Sequence, residues 1–292
     1  MKKDGKYKGK QLWRCKDCWK QSSEKRKEKC HRIWKEYAHG KQTYDEIGKK
    51  LKRSKRWVQQ QMDLVEVKPR SLPVGSVVVV MDTTYFGKVF GVMVFRCPHR
   101  HKNLLWKFLD YETIAEYIAG VRALQEGEWN VTGIVCDARR GLVQAFPTIP
   151  VQMCQFHQVM IVLRYITRKP KLEAGKELKE LILQLVHTDE ASFRHWLRDW
   201  HNRWEDFLSE KTVDEFSKRW HFTHKRLRSA YRSLETNLPW LFTFEHHADL
   251  CIPNTTNSLE GSFTHIKKKI ALHSGLRIDR KQKLIQELLR GK

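Results

Sequence analysis

Four consecutive valines, Val77–Val80, followed by Met81, make the longest clean apolar run in the chain. With Ser76 ahead of them they read as a β-strand, Ser76–Met81, buried on both faces, because a half-solvated strand would alternate apolar with polar residues. Such strands need helices packed over both faces of their sheet, which points to an α/β class. The run ends in Asp82, followed by Thr83-Thr84-Tyr85. A second apolar run, Val131–Cys136, ends in Asp137 in the same way. Between them, 88–95 and 103–109 read as two strands of a meander, and Thr113 to about Leu124 reads as an amphipathic helix. Thr148–Met153 is a fifth, short strand that runs into Cys154-Gln155-Phe156-His157 and a further helix.

Three strands, a helix, a strand, a helix, a strand and a helix is the order of a ribonuclease-H-like α/β core. The sequence divides around it into a basic region 1–70, the first part of the core at 71–170, an all-helical insertion at 171–250, and a closing segment 251–292. Pro69 and Pro73 mark the first boundary. Within 1–70, Thr43–Leu51 reads as a short helix with Thr43 as N-cap and Glu46 three residues on, a capping-box pattern. After Lys52-Arg53-Ser54 a second helix runs from Lys55 to Val65, with Ile47, Leu51, Val58, Met62 and Val65 at apolar helical spacing. The pair suits a helix-turn-helix whose second helix displays Lys55, Arg56, Gln59, Gln60 and Gln61 to a major groove. In the insertion, Trp196, Trp200, Trp204 and Trp220 are expected as packing residues.

Charge bounds the partner. Lys plus Arg number 56 against 33 Asp plus Glu in 292 residues, a formal +23, and residues 1–70 alone hold 23 Lys/Arg against nine Asp/Glu. That balance is the footprint of a polyanion partner, with plain solubility or a basic ribosomal or RNA-coating protein as the other readings of the charge; double-stranded DNA is the partner that the helix-turn-helix pattern favours. No apolar run nears the ~20 residues of a membrane span, and the start carries charge with no apolar h-region after it, so a cytoplasmic location away from membranes is expected. The seven cysteines, at 15, 18, 30, 97, 136, 154 and 251, are odd in number and scattered, which suits free or metal-bound thiols better than disulfides. Cys15-x-x-Cys18 could supply two of the four ligands a structural zinc takes; Cys30 and His31 are adjacent residues and poorly placed to complete it. Cys97-Pro-His99-Arg-His101 reads as a turn with surface histidines.

Asp82 and Asp137 are each the first polar side chain after a buried strand, at the strand ends where open α/β sheets place ligands. Carboxylates brought together there repel, and a divalent cation relieves them. Mg²⁺ (or Mn²⁺) is held by one or two carboxylates plus substrate phosphates, and two ions about 3.5–4 Å apart can flank an in-line phosphoryl displacement. Near the end of the chain, Asn254–Ser258 opens a helix with Glu260 in its first turns and Lys267, Lys268 and Lys269 beyond.

Four segments together resemble the Mutator-like group of bacterial insertion-sequence transposases of the DDE superfamily: Met81–Thr84, Cys136–Gly141, Cys154–His157 and Thr255–Glu260. The resemblance covers most of residues 76–270. It implies that Asp82, Asp137 and Glu260 bind the catalytic metals, and that 171–250 is the helical insertion usual in that group. The Cys154-x-x-His157 pair recurs there and is taken as structural, orienting the active site, and not as a metal site, since two ligands cannot satisfy a zinc alone. Relatives with an N-terminal Cys-x-x-Cys carry two such pairs in a zinc ribbon; this sequence has one. Hydrolysis at a transposon end, then attack of the freed 3′-hydroxyl on target DNA, is the implied reaction, with a homodimer or larger oligomer pairing two ends. Arg139, Arg140, Lys267 and Lys268 join Lys55, Arg56, Gln59 and Gln60 as candidate DNA contacts. A nuclease or resolvase of the same fold, and a non-catalytic domesticated DNA-binding protein, are the alternative readings.

Overall fold

A computed structural model describes residues 1–23, 26–68, 71–137, 139, 141–273 and 275–291. The chain divides into two compact units, residues 1–71 with 263–292, and residues 72–262. Pro69 lies outside the described residues.

The first unit opens with a small antiparallel sheet of β1 (Lys2–Tyr7), β2 (Lys10–Arg14) and β3 (Gln21–Ser22), in that order. The sequence reading missed it, since lysine-rich strands exposed on both faces carry no apolar alternation. Its cohesion is polar: Asp4 accepts from Arg14 Nε at 2.7 Å and from Gln21. Three helices follow, α1 (Arg26–Ala38), α2 (Tyr44–Leu51) and α3 (Lys55–Asp63). The expected capping box is present: Thr43 Oγ1 accepts from the Glu46 N–H at 3.3 Å, and Glu46 Oε2 accepts from the Thr43 N–H at 2.6 Å. Lys52 turns the chain in the left-handed conformation, and Ser54 Oγ caps α3 through the Trp57 N–H. Ile33, Trp34, Ile47, Val58, Met62 and Val65 are buried as the small core of this helical group.

The second unit is mixed α/β. Its five-stranded sheet has the order β6-β5-β4-β7-β8, from β4 (Ser76–Phe86), β5 (Phe90–Cys97), β6 (Lys102–Leu109), β7 (Asn130–Cys136) and β8 (Val151–Met153). β4, β5 and β6 form the antiparallel meander, while β7 pairs parallel with β4 and β8 parallel with β7. Between β7 and β8, where the sequence order puts a helix, the described residues form only the short turn Val143–Ala145. α4 (Ile114–Glu126), capped by Thr113, joins β6 to β7 and lies against both. Gly120 makes that approach feasible, because a Cβ there would run into the Phe95 ring. Val77, Val79, Met81, Phe95, Tyr117, Val121 and Ile134 belong to one buried cluster. The sequence placed the end of β4 at Asp82. The strand instead runs on to Phe86 along β5, while its pairing with β7 stops at Val80.

After β8 come α5 (Gln155–Ile166), α6 (Glu173–Leu183), α7 (Glu190–Ser209), the hairpin β9 (Lys211–Val213) and β10 (Trp220–Phe222), α8 (Lys225–Leu241) and α9 (Thr243–His246). The hairpin corrects the expectation of an all-helical insertion. Lys-Thr-Val and Trp-His-Phe are short β-prone triplets, and the Asp214 carboxylate accepting from the Ser217 N–H at 2.6 Å forms the turn. Two of the four tryptophans pack as expected: Trp200 is buried and donates to Ala174 O at 3.0 Å, and Trp204 donates to Glu177 at 2.9 Å. Trp196 and Trp220 are exposed.

The segment 251–292 divides between the units. α10 (Asn257–Ala271) starts in the second, and from Phe263 onward the chain, with α11 (Ile278–Arg290), groups with residues 1–71. There Arg280 forms a bidentate pair with Asp63, and Lys283 Nζ donates to Met62 O. Among the described residues no helix is long and apolar enough to cross a membrane.

Candidate functional site

The parallel register of β4 and β7 pairs Val80 with Val135. Asp82 and Asp137 each lie two residues beyond that pair, so they stand level on neighbouring strands, Asp137 just past the end of β7 and Asp82 within β4 where its pairing with β7 has ended. β4 keeps its β5 partner at Asp82 (opposite Val94) but has lost β7, which leaves an opening on the β7 side. Each aspartate is steadied by a nearby backbone amide: Thr83 N–H donates to Asp82 Oδ1 at 2.8 Å, and Arg139 N–H donates to Asp137 Oδ1 at 3.1 Å.

Glu260 arrives from more than a hundred residues further on, and a set of hydrogen bonds at the β8–α5 junction explains how. Cys154 N–H donates to Cys136 O at 2.8 Å, seating the start of α5 beside the residue before Asp137. Gln155 then takes hold of the loop before α10: its N–H donates to Asn254 O at 3.0 Å and its side chain accepts from Asn254 Nδ2 at 2.9 Å. Gln152 and Gln155 also donate to Leu241 O at the end of α8. Thr256, fully buried, donates its N–H to Cys154 Sγ at 3.3 Å, and its hydroxyl, 3.2 Å from Glu260 Oε1 and 3.3 Å from Cys154 Sγ, has one proton to give to either of them. His157 Nε2 stands 3.9 Å from Glu260 Oε1. Asp82, Asp137, Cys154, His157 and Glu260 are therefore gathered at one end of the sheet.

The electrostatics of the aspartates are costly. Burial, with Asp137 and Glu260 adding repulsion, pushes Asp82 up to about 7, against the pull of His157 and the Thr83 amide. Asp137 is raised too, first by burial and then by Glu112, with the Arg139 amide and His157 opposing. His157 moves up to about 9: burial works against its protonation, but Cys154, Asp82 and Glu260 outweigh it. The Cys154 thiol, although buried, is held below its ordinary value by His157 and the Thr256 hydroxyl. Asp82 and Asp137 are thus two largely buried carboxylates that resist ionisation and lie within the field of further carboxylates, but their oxygens and those of Glu260 are not drawn together into a close group of three donors.

Behind the aspartates lies a network that the sequence reading did not identify. Thr83 Oγ1 meets Tyr117 Oη at 2.9 Å, Tyr117 donates to Glu112 Oε1 at 2.7 Å, and Glu112 pairs with Arg139 at 3.0 Å. Arg139 also donates to Glu112 O at 2.7 Å. The network links the residue after Asp82 to the loop after Asp137. In the sequence Glu112 looks like an ordinary acidic residue ahead of a helix cap, and nothing in its spacing ties it to Asp137. Arg139, a candidate DNA contact, is thus committed to Glu112; Arg140 lies outside the described residues.

In the first unit, Lys55, Arg56 and Gln60 on α3 are exposed and Gln59 is half-buried. Lys55 forms an ion pair with Asp45 at 3.2 Å. Gln61 does not join that face. It is buried, and accepts from the buried Cys30 thiol at 3.3 Å, because it falls on the same side of α3 as Val58 and Met62. Lys267 and Lys268 are exposed on α10. Cys15 and Cys18 lie in the turn from β2 to β3, where the amides of Cys18 and Asp17 hold the Cys15 thiol below its ordinary value. Among the described residues, Cys154, His157 and Glu260 are the one group of three potential metal donors in close range.

No protein-family model matches the chain, and no curated protein matches it in sequence.

Proposed function

We propose that the chain is a transposase of ribonuclease-H-like fold, which binds double-stranded DNA and uses Asp82, Asp137 and Glu260 to cut transposon ends and join them to target DNA. The observation that supports the reading is the level placement of Asp82 and Asp137 on adjacent parallel strands at the point where their mutual pairing ends, with Glu260 held nearby through the Cys154–Gln155 junction. Burial raises both aspartates, so an arrangement kept for stability alone would favour neutral residues there. A pair of Mg²⁺ or Mn²⁺ ions would supply charge neutralisation at the scissile phosphate and lower the pKa of an attacking water.

The chain's own residues hold and position. The Thr83 and Arg139 amides orient the carboxylates, the Tyr117–Glu112–Arg139 network fixes the loop that carries Asp137, and Thr256 aims Glu260. Little covalent chemistry falls to the protein in phosphoryl transfer, where positioning and charge stabilisation dominate. Arg56, Gln59 and Gln60 on α3, with Lys267 and Lys268, are the proposed DNA contacts, and the formal +23 supplies salt-sensitive affinity along the backbone. Pairing of two DNA ends calls for at least a dimer during the reaction.

The test is cleavage and strand transfer on DNA carrying the flanking element ends, with Mg²⁺ or Mn²⁺. Asp82→Asn should abolish both while leaving DNA affinity within about twofold of wild type. Cleavage without joining would indicate a nuclease or resolvase of the same fold, and tight binding with no cleavage by the wild type would indicate a regulator.

A further inference from the structure

Cys154, His157 and Glu260 each offer one ligand atom, and the three atoms lie within 4.8 Å of one another. Sulfur, imidazole nitrogen and one carboxylate oxygen differ in kind from the aspartate pair beside them. Thiolate and imidazole select zinc-type ions, whereas carboxylates and water suit Mg²⁺ and Mn²⁺. A tetrahedral zinc with ligands at 2.0–2.3 Å sets its donor atoms roughly 3.3–3.8 Å apart. His157 Nε2 and Glu260 Oε1 are already at 3.9 Å, so small side-chain rotations close the set.

Other features of the cluster favour a bound ion. Cys154 Sγ is buried and accepts from the Thr256 N–H at 3.3 Å, the outer-shell support that anionic sulfur ligands receive. The Cys154-x-x-His157 spacing sets both donors on the first turn of α5. His157 and Glu260 retain partial exposure, which leaves room for water as a fourth ligand.

We propose that Cys154, His157 and Glu260 form a binding site for a zinc-type ion, and that its occupancy withdraws Glu260 from the hard-cation centre and switches strand cleavage off. Zinc binding stands on the donor set alone; the switch rests on the transposase reading above. One carboxylate is shared by two centres of opposite preference, so an ion held at Cys154 and His157 competes with the hard cation for Glu260.

The test uses the full chain carrying Cys15→Ser and Cys18→Ser, which removes the N-terminal thiols. Equilibrium dialysis against Zn²⁺ should find one ion per chain, and Co²⁺ as a probe should give a thiolate-to-metal absorption band. Both should vanish in Cys154→Ser, weaken by roughly tenfold or more in Glu260→Gln, and persist in Asp82→Asn. His157→Gln, at a partly exposed position, is the second variant in case Cys154→Ser does not fold, and it too should lose the band. Zinc uptake unchanged in folded Cys154→Ser and His157→Gln, or no uptake by the parent, overturns the site. One equivalent of Zn²⁺ should also cut Mg²⁺-dependent cleavage at least tenfold, reversibly with a chelator. Zinc bound without effect on cleavage overturns the switch. Zinc bound in a protein that cleaves under no cation supports the site and removes the transposase reading, whereas cleavage without zinc uptake does the reverse.

Discussion

Asp82→Asn should make the metal-free protein more stable while it abolishes cleavage. The wild-type carboxyl moves from an ordinary 3.8 to about 7 in the fold. Each pH unit of that displacement corresponds to about 1.4 kcal/mol, so the ionised side chain costs about 4 kcal/mol relative to the neutral one. Partial exposure lets water screen some of this, and about 2–4 kcal/mol is expected. Asparagine keeps the shape and the acceptor for the Thr83 amide without the charge. The sign follows from the raised value: the wild type holds its full stability below pH 3.8, loses it as pH rises, and has lost it above about pH 7. The variant's advantage should therefore be absent near pH 4 and complete at pH 8. For a unit of this size it corresponds to about 5–10 °C in the transition that reports residues 72–262. Thermal unfolding in chelator at pH 4 and pH 8 measures it, and Mg²⁺ at pH 8 should return the wild type towards the variant. A variant no more stable than wild type at pH 8, or an advantage that grows as pH falls, would refute the reasoning.

Further outcomes follow from other parts of the molecule. Gln155→Ala releases the Asn254 loop that delivers Glu260, and should lower cleavage by roughly 10- to 100-fold at unchanged DNA affinity, read from single-turnover rates and a binding titration. Gly120→Val forces side-chain atoms into the Phe95 ring, and should cost about 1–3 kcal/mol or more in denaturant unfolding. Arg56→Ala on the exposed face of α3 should weaken binding and reduce the slope of log affinity against log salt by about 1, measured across a salt series.

The sheet was legible because its buried strands carry unbroken apolar runs. Val77–Met81 and Val131–Cys136 could be placed from their largely apolar runs, and Asp82 and Asp137 were singled out as a pair by following them, although β4 continues beyond Asp82 to Phe86. The helix pair at 44–63 was legible through its capping chemistry, Thr43 with Glu46 and then Ser54. The strands at 2–22 were not, since Lys2–Tyr7 is stabilised by cross-strand polar contacts rather than by an apolar face. The 211–222 hairpin was obscured by its length, three residues on each side. Glu260 was chosen through resemblance, because the hydrogen bonds that bring it to the aspartates run through Gln155, Asn254 and Thr256, residues with no distinguishing periodicity. Glu112 and Tyr117 escaped for a related reason: their importance lies in a network of contacts across the fold, from Thr83 to Arg139.

The central claim concerns the three carboxylates acting together on DNA, and it meets its most direct test in a comparison of wild type with Asp137→Ala. Both proteins would be incubated with DNA carrying the flanking element ends, with Mg²⁺, Mn²⁺ or chelator, and nicked and joined products resolved. Nicking and joining by the wild type that require the cation and are lost in Asp137→Ala, at equal DNA affinity, is the expected result. Cation-dependent products that persist in Asp137→Ala, or salt-sensitive binding with no cleavage by either protein, would contradict it.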